Sequence, residues 1–269
     1  MIGIVTEQKR ALRVVLGRSL PLRINFMTDT IYKKFIEVNE KIAYACAISN
    51  RKSEDVNLVV VTKGQSAEKI IEVVEAGATI LGENYPEETI KKIKILNSRV
   101  KPIWHMVGHL QSRKVKFIFP HFKMMHSIDS LDLARKLNDY CEKNQLSLDV
   151  LIEVNISGEA TKFGFDASSS QKRDKLFFDM DLLKTLKHLH MLGLMTMPPY
   201  AVFETQNKKC YNICRELMLN IKARFMDENF RELSMGTSSD FVSAIFEGAT
   251  HIRVGDAIMG SRSKFVEKR

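Results

Sequence analysis

The chain has 269 residues, 45% of them apolar and 27% charged, which suits one large domain with a sizeable core. It holds no apolar run as long as a membrane span. The net charge is +9, but outside the first 26 residues Lys and Glu are well mixed, so a basic stripe for nucleic acid is not indicated and neither nucleic acid nor membrane is an expected partner.

Residues 1–26 carry Lys9, Arg10, Arg13, Arg18 and Arg23 against Glu7 alone. They lack the apolar core of a secretory signal. Three readings stay open: a disordered tail, a mis-assigned start upstream of Met27, or an Arg-rich transit segment. The compartment follows from that choice, cytoplasm for the first two and an organelle for the third. From Met27 the spacing of Ile31, Phe35, Val38 and Ile42 predicts an amphipathic helix, with Thr28, Asp29 and Thr30 available to cap it. The expected division is therefore a tail over 1–26 and a domain over 27–269.

From residue 55 short apolar runs alternate with helical patterns. The runs are Val56–Thr62, Thr79–Leu81, Ile103–Val107, Met124–Ile128, Val150–Ile156, Met191–Met195, Glu232–Ser234 and Thr250–Val254. They are rich in Val, Ile, Leu and Met, as strands buried on both faces are. Helices are expected at Ala67–Ala76, Leu131–Cys141, Leu182–Leu189 and Phe241–Glu247, and a surface loop at Ser168–Asp179. The alternation predicts parallel strands joined by crossover helices. Eight runs, with no GxGxxG after the first, favour a closed (β/α)8 TIM-type barrel over an open doubly wound sheet.

Polar and Gly residues cluster just after each run, on the face where such barrels carry their sites. Lys63 ends the first run. A lysine there is expected to be desolvated, which frees its amine as a nucleophile for aldehydes; an ordinary surface lysine remains the alternative. Ser234–Asp240 opens a helix, and with Gly255 after the last strand it lies in the two loops where barrels often hold phosphate. Arg253, inside an apolar strand, needs a ligand nitrogen or a carboxylate such as Glu83. Cys46, Cys141, Cys210 and Cys214 form no CxxC pair and no zinc-finger spacing, so they are expected to be free thiols in a reducing compartment, and no metal site is expected.

These pieces resemble the pyridoxal phosphate homeostasis protein family, single-domain relatives of the alanine racemase N-terminal barrel. The resemblance runs from about Ile31 to Arg262. It rests on VVVTKGQ (59–65), GENYPEE (82–88), IWHMVGHLQSRK (103–114), HSIDS (126–130), VNISGEATKFGF (154–165), GLMTMP (193–198) and LSMGTSSDFVSAIFEGATHIRVGDAIMG (233–260). It implies pyridoxal 5′-phosphate (PLP) held as a Schiff base on Lys63, with Asn84 and His105 near the ring. It implies Ser234, Gly236, Ser238 and Gly255 around the phosphate, and Arg253 at the pyridine nitrogen. A guanidinium has no acceptor and keeps its proton, so that nitrogen would stay unprotonated and the ring would be a poor electron sink. Two positions depart from the family pattern. Asp256 stands where Thr or Ser is usual, and its carboxylate would repel a phosphate. Arg113 replaces an Asn.

The resemblance implies a protein that buffers and supplies PLP, with PLP-dependent apoenzymes as possible recipients and no robust turnover. An amino-acid racemase is the alternative. It would need an acid/base on the ring face opposite Lys63, with His105 or Tyr85 as candidates, and its relatives add a second β-rich domain for which this chain leaves no room. A barrel aldolase acting through Lys63 fits Arg253 poorly. Without that second domain a monomer is expected.

Overall fold

The computed structural model describes residues 30–96, 99–199 and 204–260. The expected tail over 1–26 lies outside the described residues. The described chain opens with α1 (Ile31–Ile48), whose Ile31, Phe35, Val38 and Ile42 are all buried, as their spacing predicts.

The strands are β1 (Asn57–Val61), β2 (Ile80–Glu83), β3 (Ile103–Met106), β4 (Met124–Ile128), β5 (Leu148–Asn155), β6 (Phe165–Asp166), β7 (Leu189–Thr196), β8 (Glu232–Ser234) and β9 (His251–Val254). Between them lie α2 (Ala67–Glu75), α3 (Pro86–Leu96), α4 (Leu131–Asn144), α5 (Ser170–Leu183), α6 (Glu204–Phe225), α7 (Phe241–Phe246) and α8 (Asp256–Met259). All pairings are parallel, in the order β4-β3-β2-β1-β9-β8-β7-β5. A further β4–β5 pairing closes the ring into an eight-stranded barrel. The two-residue β6 is an addition to it. Its Phe165 pairs with Val154, which also pairs with Thr196 of β7.

Each predicted run appears as a barrel strand, with ends shifted by up to two residues. The region before β7 differs from expectation. Ser168–Asp179 was expected as a loop and Leu182–Leu189 as a helix, whereas the helix is Ser170–Leu183 and β7 begins at Leu189. Ser169 caps α5 by accepting from the Lys172 amide. Leu176, Met180 and Leu183 then form the buried stripe. The polar first half of α5 and the exposed Phe178 mask that stripe in the sequence.

The main apolar core lies between barrel and helices. Met124, Leu151 and Met195 form a separate cluster, on the inner side of the strands. Gly193 lets β7 and β8 approach, since a Cβ there would sit 1.9 Å from the Glu232 carbonyl oxygen. The four cysteines are free, as expected.

Candidate functional site

Lys63 follows β1 by two residues and is half-buried. Its neighbour Gly64 turns the chain at φ 68°, and the Gly64 amide donates to Glu88 Oε1. Thr62 is fully buried, and its carbonyl accepts from Lys92 Nζ at 2.8 Å. Lys92 also reaches Glu83 Oε1 at 2.6 Å and Glu88 Oε1 at 2.7 Å, while Thr62 Oγ1 donates to Glu83 Oε1 at 2.6 Å. Burial pushes the Glu83 carboxyl above its usual range against the pull of Lys92. Glu83 is therefore engaged by Lys92 and Thr62, and of the partners open to Arg253 it is not the one the structure supplies.

Arg253 is 5% exposed, in the middle of β9. Its Nη1 donates to Ser234 Oγ at 2.5 Å and its Nη2 to the Thr196 carbonyl at 3.0 Å. The carboxylates that bear on it are Glu153 and Asp240. Burial lifts Glu153 to about 7, helped by Asp129 and opposed by Arg253. β1 and β9 pair with Val59 opposite Arg253, so Lys63 lies on the neighbouring strand, four residues further toward the C-terminal rim than the level of Arg253.

The loop after β8 is built on Gly236. Its φ is +92°, and a Cβ there would lie 2.6 Å from Ala244 Cβ and 2.9 Å from Phe241 Cα. Asp240 holds the loop, accepting from the Thr237 amide at 2.6 Å, Asn207 Nδ2 at 2.7 Å and Tyr211 Oη at 2.8 Å. Asp240, not a Ser or Thr, occupies the cap position of α7. Ser238 instead turns to the last strand, where its Oγ accepts from the Gly255 amide at 3.1 Å and the Ala257 amide at 3.2 Å. Asp256 is exposed. The two terminal loops are thus tied together by one hydroxyl.

Asn84 follows β2 against the Gly108 backbone, where a Cβ would meet Asn84 Cγ at 2.5 Å. It joins Tyr85, Pro86, His109, Leu110, Gln111 and Lys114 around a cavity of about 260 Å³ between the loops after β2 and β3. Beside it His109 Nδ1 contacts Asp129 Oδ2 at 2.5 Å and stacks on Phe163 at 3.8 Å. Arg113 points along the surface, its Nε donating to Gln111 Oε1.

His105 and Ser234 lie deeper. Ser234 is fully buried, and its Oγ meets His126 Nδ1 at 2.8 Å as well as Arg253. His126 Nε2 is 2.9 Å from His105 Nδ1. Burial takes His105 down to about 3 and His126 well below its usual value, so both rings are neutral. His126, Glu153, Tyr211 and Asp240 were missed as site-supporting residues. His126 stands in the HSIDS stretch and Asp240 in the loop after β8, but in a strand buried on both faces the two-residue alternation does not reveal which phase points inward.

The alanine racemase N-terminal domain model matches residues 41–263. The pyridoxal phosphate homeostasis protein of Haemophilus influenzae is 33% identical over 227 residues, 84% of this chain and 93% of the relative. The chain belongs to this family. Its Escherichia coli K12 member is 33% identical over 87% of this chain and 97% of the relative. Among solved structures, PipY of Synechococcus elongatus, determined with PLP bound, aligns at a TM-score of 0.74 with 27% identity, covering 86% of this chain and all of that one. An unknown protein from Bifidobacterium adolescentis aligns at 0.78 with 30% identity, covering 87% and 98%. Alanine racemase from Corynebacterium glutamicum shares the barrel at a TM-score of 0.61 and 15% identity, over 87% of this chain and 63% of that one. This last likeness is one of fold.

Proposed function

We propose that this protein binds PLP at the C-terminal rim of the barrel and serves in PLP homeostasis, holding the cofactor and releasing it to other proteins without robust turnover of its own. The observation that carries the reading is the β1–β9 pairing, which sets Lys63, four residues past Val59, on the strand next to the one that carries the buried Arg253. The donor set suits the group: an amine for an aldehyde, a donor-only cation for a ring nitrogen, and a glycine-built loop for a phosphate. When bound, PLP supplies an aldehyde that condenses reversibly with an amine.

In this reading Lys63 is the tether. Asn84 lines the ring side. Gly236, Ser238 and Gly255 face the phosphate, and the Ser238 hydroxyl keeps their two loops at a fixed separation. Arg253 meets the ring nitrogen. Ser234 and His105 act from beneath, Ser234 by holding the guanidinium. PLP-dependent apoenzymes are the recipients, and the working species is a monomer. The racemase reading is weaker: Tyr85 is 56% exposed and His105 is buried against His126, so neither stands out as an acid/base opposite Lys63.

The test is spectroscopic. Protein mixed with PLP is expected to absorb near the visible edge, and Lys63→Ala to lose that band. Absence of the band in the unmutated chain would sink the reading. Rapid exchange of the α-hydrogen of alanine would favour the racemase instead.

A further inference from the structure

Three imidazoles meet inside the barrel below Arg253. His105 comes from β3, His126 from β4 and His251 from β9, on opposite sides of the ring. They are 5%, 0% and 3% exposed. Their ring centroids are 5.0, 5.3 and 6.0 Å apart. One nitrogen from each can be chosen so that all three lie within 4.8 Å of one another, among the described residues. Three polar rings are costly in an interior that also holds Met124, Leu151 and Met195 unless their nitrogens are engaged.

The surroundings indicate how they could be engaged. His251 Nδ1 lies 3.3 Å from a Glu232 oxygen and 3.1 Å from Thr250 Oγ1. His126 Nδ1 lies 2.8 Å from Ser234 Oγ. Metal-binding histidines commonly anchor their second nitrogen on a carboxylate or similar group in this way. The inward set is then His126 Nε2, His105 Nδ1 and His251 Nε2, the last with the Asn57 amide 3.4 Å away. A neutral imidazole has a lone pair to give to an ion.

We propose that His105, His126 and His251 form a site for a divalent first-row transition metal ion, bound through three nitrogens. Metal–nitrogen bonds of about 2.0–2.1 Å in a tetrahedron separate the nitrogens by roughly 3.4 Å. The His105–His126 pair stands at 2.9 Å, so the ion takes the place of the proton these rings share. Side-chain torsions close the widest separation. The His126 proton moves to Nδ1, and Ser234 Oγ then accepts from both His126 and Arg253. Glu232 offsets part of the added charge, which Arg253 and Lys123 oppose. An all-imidazole set selects zinc, nickel or copper over magnesium or calcium. The ion would staple three strands across the barrel axis, independently of Lys63.

Zinc is the probe. The full chain, incubated with zinc and freed of excess by gel filtration, is expected to retain one equivalent, and His251→Met at least tenfold less. Lys63→Ala is expected to retain the full equivalent. Cobalt substitution is expected to give visible d–d bands without a thiolate charge-transfer band. The proposal is overturned if the unmutated chain keeps no zinc, if His251→Met keeps as much, if Lys63→Ala loses it, or if a thiolate band assigns the ion to cysteine. His105→Gln gives the same readout should His251→Met prove insoluble.

Discussion

At the scale of single residues the site is governed by what burial does to charge. Glu153 is 9% exposed, and its carboxyl rises to about 7 despite Arg253. A carboxyl with a raised folded-state value favours the folded state most below its unfolded value near 4.5 and loses that contribution as pH climbs through 7. Glu153→Gln removes the titration. Relative to this variant, the unmutated chain is expected to lose on the order of 3 kcal/mol between pH 4.5 and pH 8. Urea midpoints at the two pH values measure it, and parallel curves for both proteins would refute the assignment. Lys63, Arg253 and the loop after β8 were legible in the sequence, since each breaks a local rule: a cation in or at an apolar strand, a glycine among small polar residues. Glu153 and His126 were not, because their weight comes from neighbours on distant strands.

Among the elements, the strands were legible and one crossover was not. Continuous apolar stretches such as Leu58–Val61 announce themselves because a strand covered on both faces has little room for polar residues. α5 hid because its buried stripe starts late, at Leu176, after a polar turn. The bonds of Ser238 were likewise out of reach, since a serine near a helix start suggests a cap while its partners here sit in the loop after β9. The junction after β8 is the element most sensitive to change. Gly236→Ala forces a Cβ onto Ala244 and Phe241 at a positive φ, and is expected to cost about 1–3 kcal/mol. It is also expected to weaken PLP binding at least tenfold. Thermal melts and a PLP titration read the two effects separately, and an unchanged affinity would remove this loop from the phosphate site.

For the molecule as a whole, the closed ring converts local binding into global stability. Every strand of the ring has two neighbours, so a ligand that bridges β1, β8 and β9 resists the opening of all. PLP at about one hundred times its Kd is expected to add roughly 2.7 kcal/mol, a rise in Tm of several degrees at this chain length. Lys63→Ala is expected to lose most of that rise. An equal rise in both proteins would mean that the lysine contributes little to affinity. Among the described residues no helix is long and apolar enough to cross a membrane.

The buried Lys92 carries one more consequence. Its ammonium grips the Thr62 carbonyl from below, one residue before the tether. The backbone under Lys63 is thus moored from within the protein. In the proposed role, loading joins the Lys63 amine to an aldehyde with loss of water and unloading adds that water back, so the motion that accompanies each is left to side-chain torsions. The barrel could then hand over its cargo without bending a strand.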